Sequence, residues 1–183
     1  MVFDNKLWVL GGDDNDTNNY NDVWYTEDGI DWTLVTNNAA WGPRSSFGLV
    51  EFENKMWVLG GYGDVSTDPY YKNDVWVSED GAKWSEVSPS SDIWAGRSSA
   101  GVQVFGGMIW VIGGYYWNST EGNILCKDVW YSTDGQNWVL ENNNADWPGR
   151  FYSSSTVHDN KIWLSGGRSL GSMLSDVWYG ALQ

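Results

Sequence analysis

The feature that most constrains this chain is a tryptophan register. An apolar stretch ending in a glycine pair, Lys6-Leu7-Trp8-Val9-Leu10-Gly11-Gly12, returns as Lys55-Met56-Trp57-Val58-Leu59-Gly60-Gly61, as Met108-Ile109-Trp110-Val111-Ile112-Gly113-Gly114 and as Lys161-Ile162-Trp163-Leu164-Ser165-Gly166-Gly167. These four tryptophans are 49, 53 and 53 residues apart. A second column reads Asp22-Val23-Trp24, Asp74-Val75-Trp76, Asp128-Val129-Trp130 and Asp176-Val177-Trp178. A third sets Trp32, Trp84 and Trp138 three residues after an Asp-Gly pair, and a fourth sets Trp41, Trp94 and Trp147 just before Arg44, Arg97 and Arg150. The columns absorb 14 of the 15 tryptophans and leave only Trp117 out of register. A fixed period of this length demands a fold built from equivalent units.

Within one unit, short apolar runs alternate with turn chemistry. Residues 44–50 read as a strand ending in the turn Phe52-Glu53-Asn54-Lys55, and Met56 to Leu59 as a second strand stopped by Gly60-Gly61. Asp74 to Ser78 reads as a third strand turning through Asp80-Gly81, a strong hairpin signal. A fourth runs from Trp84 to about Val87, and no segment has the i, i+3, i+4 spacing of a helix. Four short antiparallel strands per ~50 residues are the signature of a β-propeller blade. The expected fold is therefore all-β, one domain over 1–183, with repeats at about 1–43, 44–96, 97–149 and 150–183. Two complete four-stranded blades and a three-stranded blade at either terminus are expected, in an open arc or a fragment of a longer propeller. Such an arc would expose blade edges through which copies can associate.

On these motifs the chain resembles the kelch repeats, defined by a glycine pair after an apolar strand and by spaced aromatics further on. The Asp-Val-Trp and Ser-x-Asp-Gly-x-x-Trp elements resemble bacterial kelch-type proteins of the galactose oxidase central-domain superfamily. The turn Ser132-Thr133-Asp134-Gly135 is one residue shorter between Asp and Gly than the sialidase Asp-box, and reads as a tight hairpin. The resemblance implies a scaffold role for the first two tryptophan columns and for the pairs Gly11-Gly12, Gly60-Gly61, Gly113-Gly114 and Gly166-Gly167.

Composition then narrows the function. A formal charge of −14 would repel a phosphate backbone, which argues against nucleic acid as partner. No apolar run approaches membrane-spanning length, and the residues after Met1 do not read as a signal peptide. One Cys excludes an internal disulfide, and one His, His158, cannot supply the ligands of galactose-oxidase-like copper chemistry. No metal or cofactor is expected. Asp14-Asn15-Asp16-Thr17-Asn18 has the alternation of a calcium loop, but Asn19 replaces the glycine and Tyr25 the twelfth-position Glu, so a solvated acidic turn is the favoured reading. Asn15-Asp16-Thr17 and Asn118-Ser119-Thr120 match glycosylation sequons. Low Lys with abundant Asn, Trp and Gly is compatible with a secreted or surface protein.

Meander order puts the loops between second and third strands on one face with the inter-blade connections. These loops are long and dissimilar, whereas the opposite turns are short and nearly identical; variation within a repeated scaffold marks the functional face. The candidate ligand-binding residues there are Tyr62, Tyr115, Tyr116 and Trp117, with Arg44, Arg97 and Arg150. The resemblance implies the arginines, because kelch domains that grip acidic peptides use arginines at the start of this strand. The competing reading makes them structural, bonding carbonyls of the adjacent blade, and makes Trp41, Trp94 and Trp147 inter-blade packing. The repeated Asp residues are expected to bond backbone amides at strand starts and hairpins. The leading expectation is a non-catalytic module binding protein or carbohydrate; the alternatives are a sialidase-like or sialic-acid-epimerase-like enzyme, or a structural spacer.

Overall fold

The computed structural model describes residues 1–14, 18–64, 69–90 and 92–181, which form strands and no helix. The stretch Asn15–Thr17, with Asp16 of the calcium-like spacing and the whole first sequon, lies outside these residues. The strands fall into four antiparallel meanders, one per repeat, as the blades of a propeller. The first blade orders β1 (Val2–Phe3), β2 (Lys6–Asp13), β3 (Asn19–Thr26) and β4 (Thr33–Thr36) from inside outward. In the second, the inner strand comes in two pieces, β5 (Arg44–Ser45) and β6 (Gly48–Phe52), followed by β7 (Lys55–Gly63), β8 (Tyr71–Ser78) and β9 (Ser85–Val87). The third comprises β10 (Gly101–Phe105), β11 (Met108–Asn118), β12 (Gly122–Ser132) and β13 (Trp138–Asn142). The fourth comprises β14 (Ser154–His158), β15 (Lys161–Ser165) and β16 (Val177–Gly180).

The first blade thus has four strands where three were expected. Val2 and Phe3 pair with Leu7 and Lys6, and Phe3 fills the position that Phe52 and Phe105 hold in the next two blades. Its buried anchoring aromatic, Phe3, holds this short inner strand against β2.

In the first three blades the glycine pair marks a break in register between second and third strands, as between Leu59 and Gly61, whereas in the fourth the second strand ends just before Gly166. Gly60 and Gly61 have φ of 60° and 105°, and a Cβ on Gly61 would lie 2.9 Å from the Ser45 carbonyl and 2.7 Å from Phe47. Only glycine tolerates that backbone at that approach. The bulge also turns the Gly61 amide outward to donate to the Arg97 carbonyl of the next blade at 2.9 Å.

Three apolar cores lie in the three joints between consecutive blades. In the first joint, Phe3, Trp8 and Leu10 face Met56, Val58 and Trp84, with Trp41 of the connection between them. The second repeats this with Phe52, Trp57 and Leu59 against Ile109, Val111 and Trp138 around Trp94. The third sets Phe105, Trp110 and Ile112 against Ile162 and Leu164 beside Trp147. The hairpin glycines complete the fit: a Cβ on Gly81 or Gly135 would sit within 2.4 or 2.2 Å of Trp8 or Trp57 of the preceding blade. Among the described residues no core joins the fourth blade to the first. Leu7 and Val9 of the first blade are 44% and 49% exposed where their counterparts Met56 and Val58 are fully buried, as an open arc requires.

Candidate functional site

Arg44, Arg97 and Arg150 are buried and engaged inside their own blades. Arg97 donates through Nη1 and Nη2 to both carboxylate oxygens of Asp128, at 2.5 and 2.8 Å, and through Nη1 to the Gly113 carbonyl at 3.0 Å. Arg44 holds Asp74 and the Gly60 carbonyl in the same way, and Arg150 holds Asp176 and the Gly166 carbonyl. Each arginine thus bonds a carbonyl of its own blade and an aspartate, where the structural reading expected a carbonyl of the adjacent blade. The fork-to-carboxylate fit explains why arginine stands there.

The strand-start aspartates correspondingly bond side chains where backbone amides were expected. Asp74, Asp128 and Asp176 accept from these arginines and from the indole N–H of Trp76, Trp130 and Trp178; Asp22, in the one repeat without the arginine, accepts from Trp24. The Arg150 hydrogen bond and charge hold the Asp176 carboxyl well below its ordinary range. Burial pushes Asp128 up, but its bonds to Arg97 and Trp130 prevail and its pKa is lowered. The hairpin aspartates do bond amides: Asp134 accepts from Gln136 and Asn137, at 2.8 and 2.7 Å.

The arginine–aspartate clamps fix the start of each inner strand, and there the backbone turns through an unusual conformation. Ser46, Ser99 and Tyr152, two residues after each arginine, have φ of 53°, 55° and 54°. Three non-glycine residues at equivalent positive φ are held against a conformational cost. The Ser99 amide donates to the Ser46 carbonyl at 2.8 Å, linking two blades. These segments line a cavity of about 520 Å³ together with Tyr62, Tyr71, Tyr115 and Phe151.

The aromatic rings around this cavity touch in series. Tyr70, Tyr62 and Tyr71 pack mutually with centroids 5.1–5.8 Å apart. Tyr71 meets Tyr115 edge-on at 5.7 Å, Tyr115 meets Phe151 at 5.2 Å, and Phe151 meets Tyr152 at 5.0 Å. The row crosses three blades. Burial raises the phenol pKa of Tyr62 and of Tyr71. Tyr152, at the end of the row, is 64% exposed.

The structure brings together only some of the residues that the sequence nominates. Tyr62 and Tyr115 line the cavity. The segment Tyr115 to Lys127, expected as a loop, is instead a hairpin of β11 and β12 in which Tyr115, Tyr116 and Trp117 pair with Leu125, Ile124 and Asn123. Alternation along the strand puts Trp117 on the Tyr115 face but further out, and Tyr116 on the opposite face. Phe151 and Tyr152 are members that the sequence reading missed. They replace the Ser-Ser of the other repeats after Arg150, and that departure was the available signal.

Four meandering blades, glycine-bulged second strands and tryptophan-filled joints define a kelch-type β-propeller. Residues 1–167 match the KLHDC2/KLHL20/DRC7 Kelch-repeats domain, and the chain belongs to the kelch-repeat family. No curated protein matches it. The bacterial galactose-oxidase flavour of its motifs is a resemblance in sequence only.

Proposed function

We propose that this kelch domain is an interaction module that holds a polypeptide segment on its loop face, across Tyr62, Tyr71, Tyr115 and Phe151. The observation that carries the reading is the continuous aromatic row along a 520 Å³ cavity, mounted on strand ends rather than on free loops. Tyrosines on rigid supports give large contact area at low entropic cost, and they dominate binding energy at interfaces. Kelch domains commonly mediate protein interactions, which supports a protein ligand.

In this reading Arg44, Arg97 and Arg150 are positioning residues. Their charge is already met by aspartate, and they act by holding Ser46, Ser99 and Tyr152 in their positive-φ turns. A clamp on a sugar carboxylate would have to break those pairs, which favours the binding module over the sialidase-like alternative. Trp117 supplies peripheral contact.

The test is to pan a displayed random-peptide library against the domain, with a glycan array beside it, and to repeat both with Tyr71→Ala/Tyr115→Ala. Peptides that bind the wild type and lose at least ~10-fold affinity on the double variant are expected, the loss of more than one hot-spot contact. Glycan binding with no peptide enrichment would replace the polypeptide by a sugar, and peptides indifferent to the double variant would move the site elsewhere.

A further inference from the structure

The loop-face cavity has a sign of charge as well as an aromatic wall. Among the described residues its lining includes no Lys, Arg or His, while Asp13 and Asp64 both line it and are exposed. Arg44, Arg97 and Arg150, which lead into its Ser46, Ser99 and Tyr152 segments, are each paired with an aspartate. Lys72 is next to Tyr71 in β8, and alternation along the strand sends it to the opposite face. The lining runs from Asp13 to Tyr152 and draws on all four blades, so neither end of the chain forms a wall.

One repeat position organises this charge. The residue directly after each glycine pair is, in chain order, Asp13, Tyr62, Tyr115 and Arg168. In the first three blades that residue lines the cavity; in the fourth, the Arg168 guanidinium lies over the Phe151 ring, 6.0 Å from its centroid. The row is therefore acidic at its first-blade end and basic at its fourth-blade end, with tyrosines between. Asp64, two residues beyond Tyr62, adds a second carboxylate in the second blade. Phenol faces attract cations through the ring quadrupole, and carboxylates add Coulombic attraction. The chain makes this contact with its own side chains elsewhere, where Lys6 Nζ stands 4.4 Å from the Tyr25 centroid. The formal charge of −14 extends the same preference to the approach of a ligand.

We propose, resting on the polypeptide reading of this face, that the segment it holds is anchored by a basic residue, an arginine, at the Asp13, Tyr62 and Asp64 end of the row. A guanidinium stacks flat on a phenol ring while its N–H groups reach carboxylates in its own plane, which an ammonium cannot do. This inverts the ligand charge that the sequence resemblance implies, because the arginines that would grip an acidic peptide are engaged inside their blades.

The test uses two displayed random-peptide libraries with one fixed central residue, arginine in one and glutamate in the other, panned against the full chain. Binders are expected from the arginine library. Exchanging the fixed arginine of a selected peptide for citrulline, which keeps the shape and removes the charge, should weaken binding at least ~10-fold, and exchange for lysine less. Asp13→Asn/Asp64→Asn, checked for folding by circular dichroism, should weaken the arginine peptide by a similar factor. Binders from the glutamate library alone would overturn the basic anchor. So would peptides that lose affinity on Tyr71→Ala/Tyr115→Ala yet are indifferent to citrulline and to the asparagine variant, and the polypeptide reading would then stand without it. Enrichment from neither library would overturn both.

Discussion

The second and third joints of this propeller are built from one repeat, yet one is closed and the other open. Between the second and third blades, Trp94 is 1% exposed and Trp138 4%, and their rings meet edge to face. Between the third and fourth, Trp147 occupies the same position beside a 580 Å³ cavity. Among the described residues the difference is the Trp138 indole, which has no counterpart in the third joint. A repeat scaffold distributes stability over its interfaces, so each joint can be perturbed on its own. Most of the tryptophan excess is structural: indoles of the columns close joints, as Trp41 and Trp94 do, donate to a hairpin glycine carbonyl, as Trp84 and Trp138 do, or bond an aspartate, as Trp76 and Trp130 do.

The comparison breaks first at Trp138. Trp138→Ala should convert the second joint into a copy of the third and cost about 3–5 kcal/mol, the range for emptying a large aromatic from a core. Urea unfolding measures it; a cost below ~1 kcal/mol would mean that the joint closes without its indole. Next comes the clamp that fixes each inner strand. Asp128→Ala leaves Arg97 buried without its carboxylate and should cost about 3 kcal/mol. Because the Asp128 and Asp176 carboxyls have lowered pKa values in the folded chain, their contribution is present above the ordinary carboxylate pKa and lost as pH falls through the folded one. Melting temperature should therefore drop below about pH 4, and Asp128→Asn should flatten that drop.

The smallest effects should have opposite signs in two joints. Ala39 and Ala145 are equivalent and both buried, but only Ala145 lines the open cavity. Ala39→Leu should cost about 1–3 kcal/mol by overpacking a filled core. Ala145→Leu should instead stabilise by about 0.5–2 kcal/mol by filling space. Equal costs at the two sites would show that the third joint closes in solution.

Much of this was legible in the residues. The tryptophan columns gave the blades, the Asp-Gly pairs the hairpins, and the glycine pairs the bulges, because each is a local rule repeated in register. Arginine–aspartate pairs such as Arg97 with Asp128 were not legible, since their partners lie on different strands and nothing local ties one to the other. The stub Val2–Phe3 was hidden because the expected strand signal was Arg-Ser-Ser, while the residue that mattered was the recurring phenylalanine. The candidate site was half legible. Tyr62 and Tyr115 were found as departures in variable segments, but Trp117, the one tryptophan without a register, lies further out on the hairpin than the row. Phe151 and Tyr152, which extend the row to a third blade, follow an arginine that looked like the more interesting residue.

The most direct test of the loop-face assignment is the affinity of one selected peptide for the wild type, Tyr115→Ala and Trp117→Ala, each shown to be folded by circular dichroism. Tyr115→Ala should weaken binding at least ~10-fold, and Trp117→Ala by no more than about two-fold, as expected for a central anchor and a rim contact. A large loss at Trp117 with Tyr115 silent would place the ligand on the hairpin tip and contradict the aromatic row as its seat.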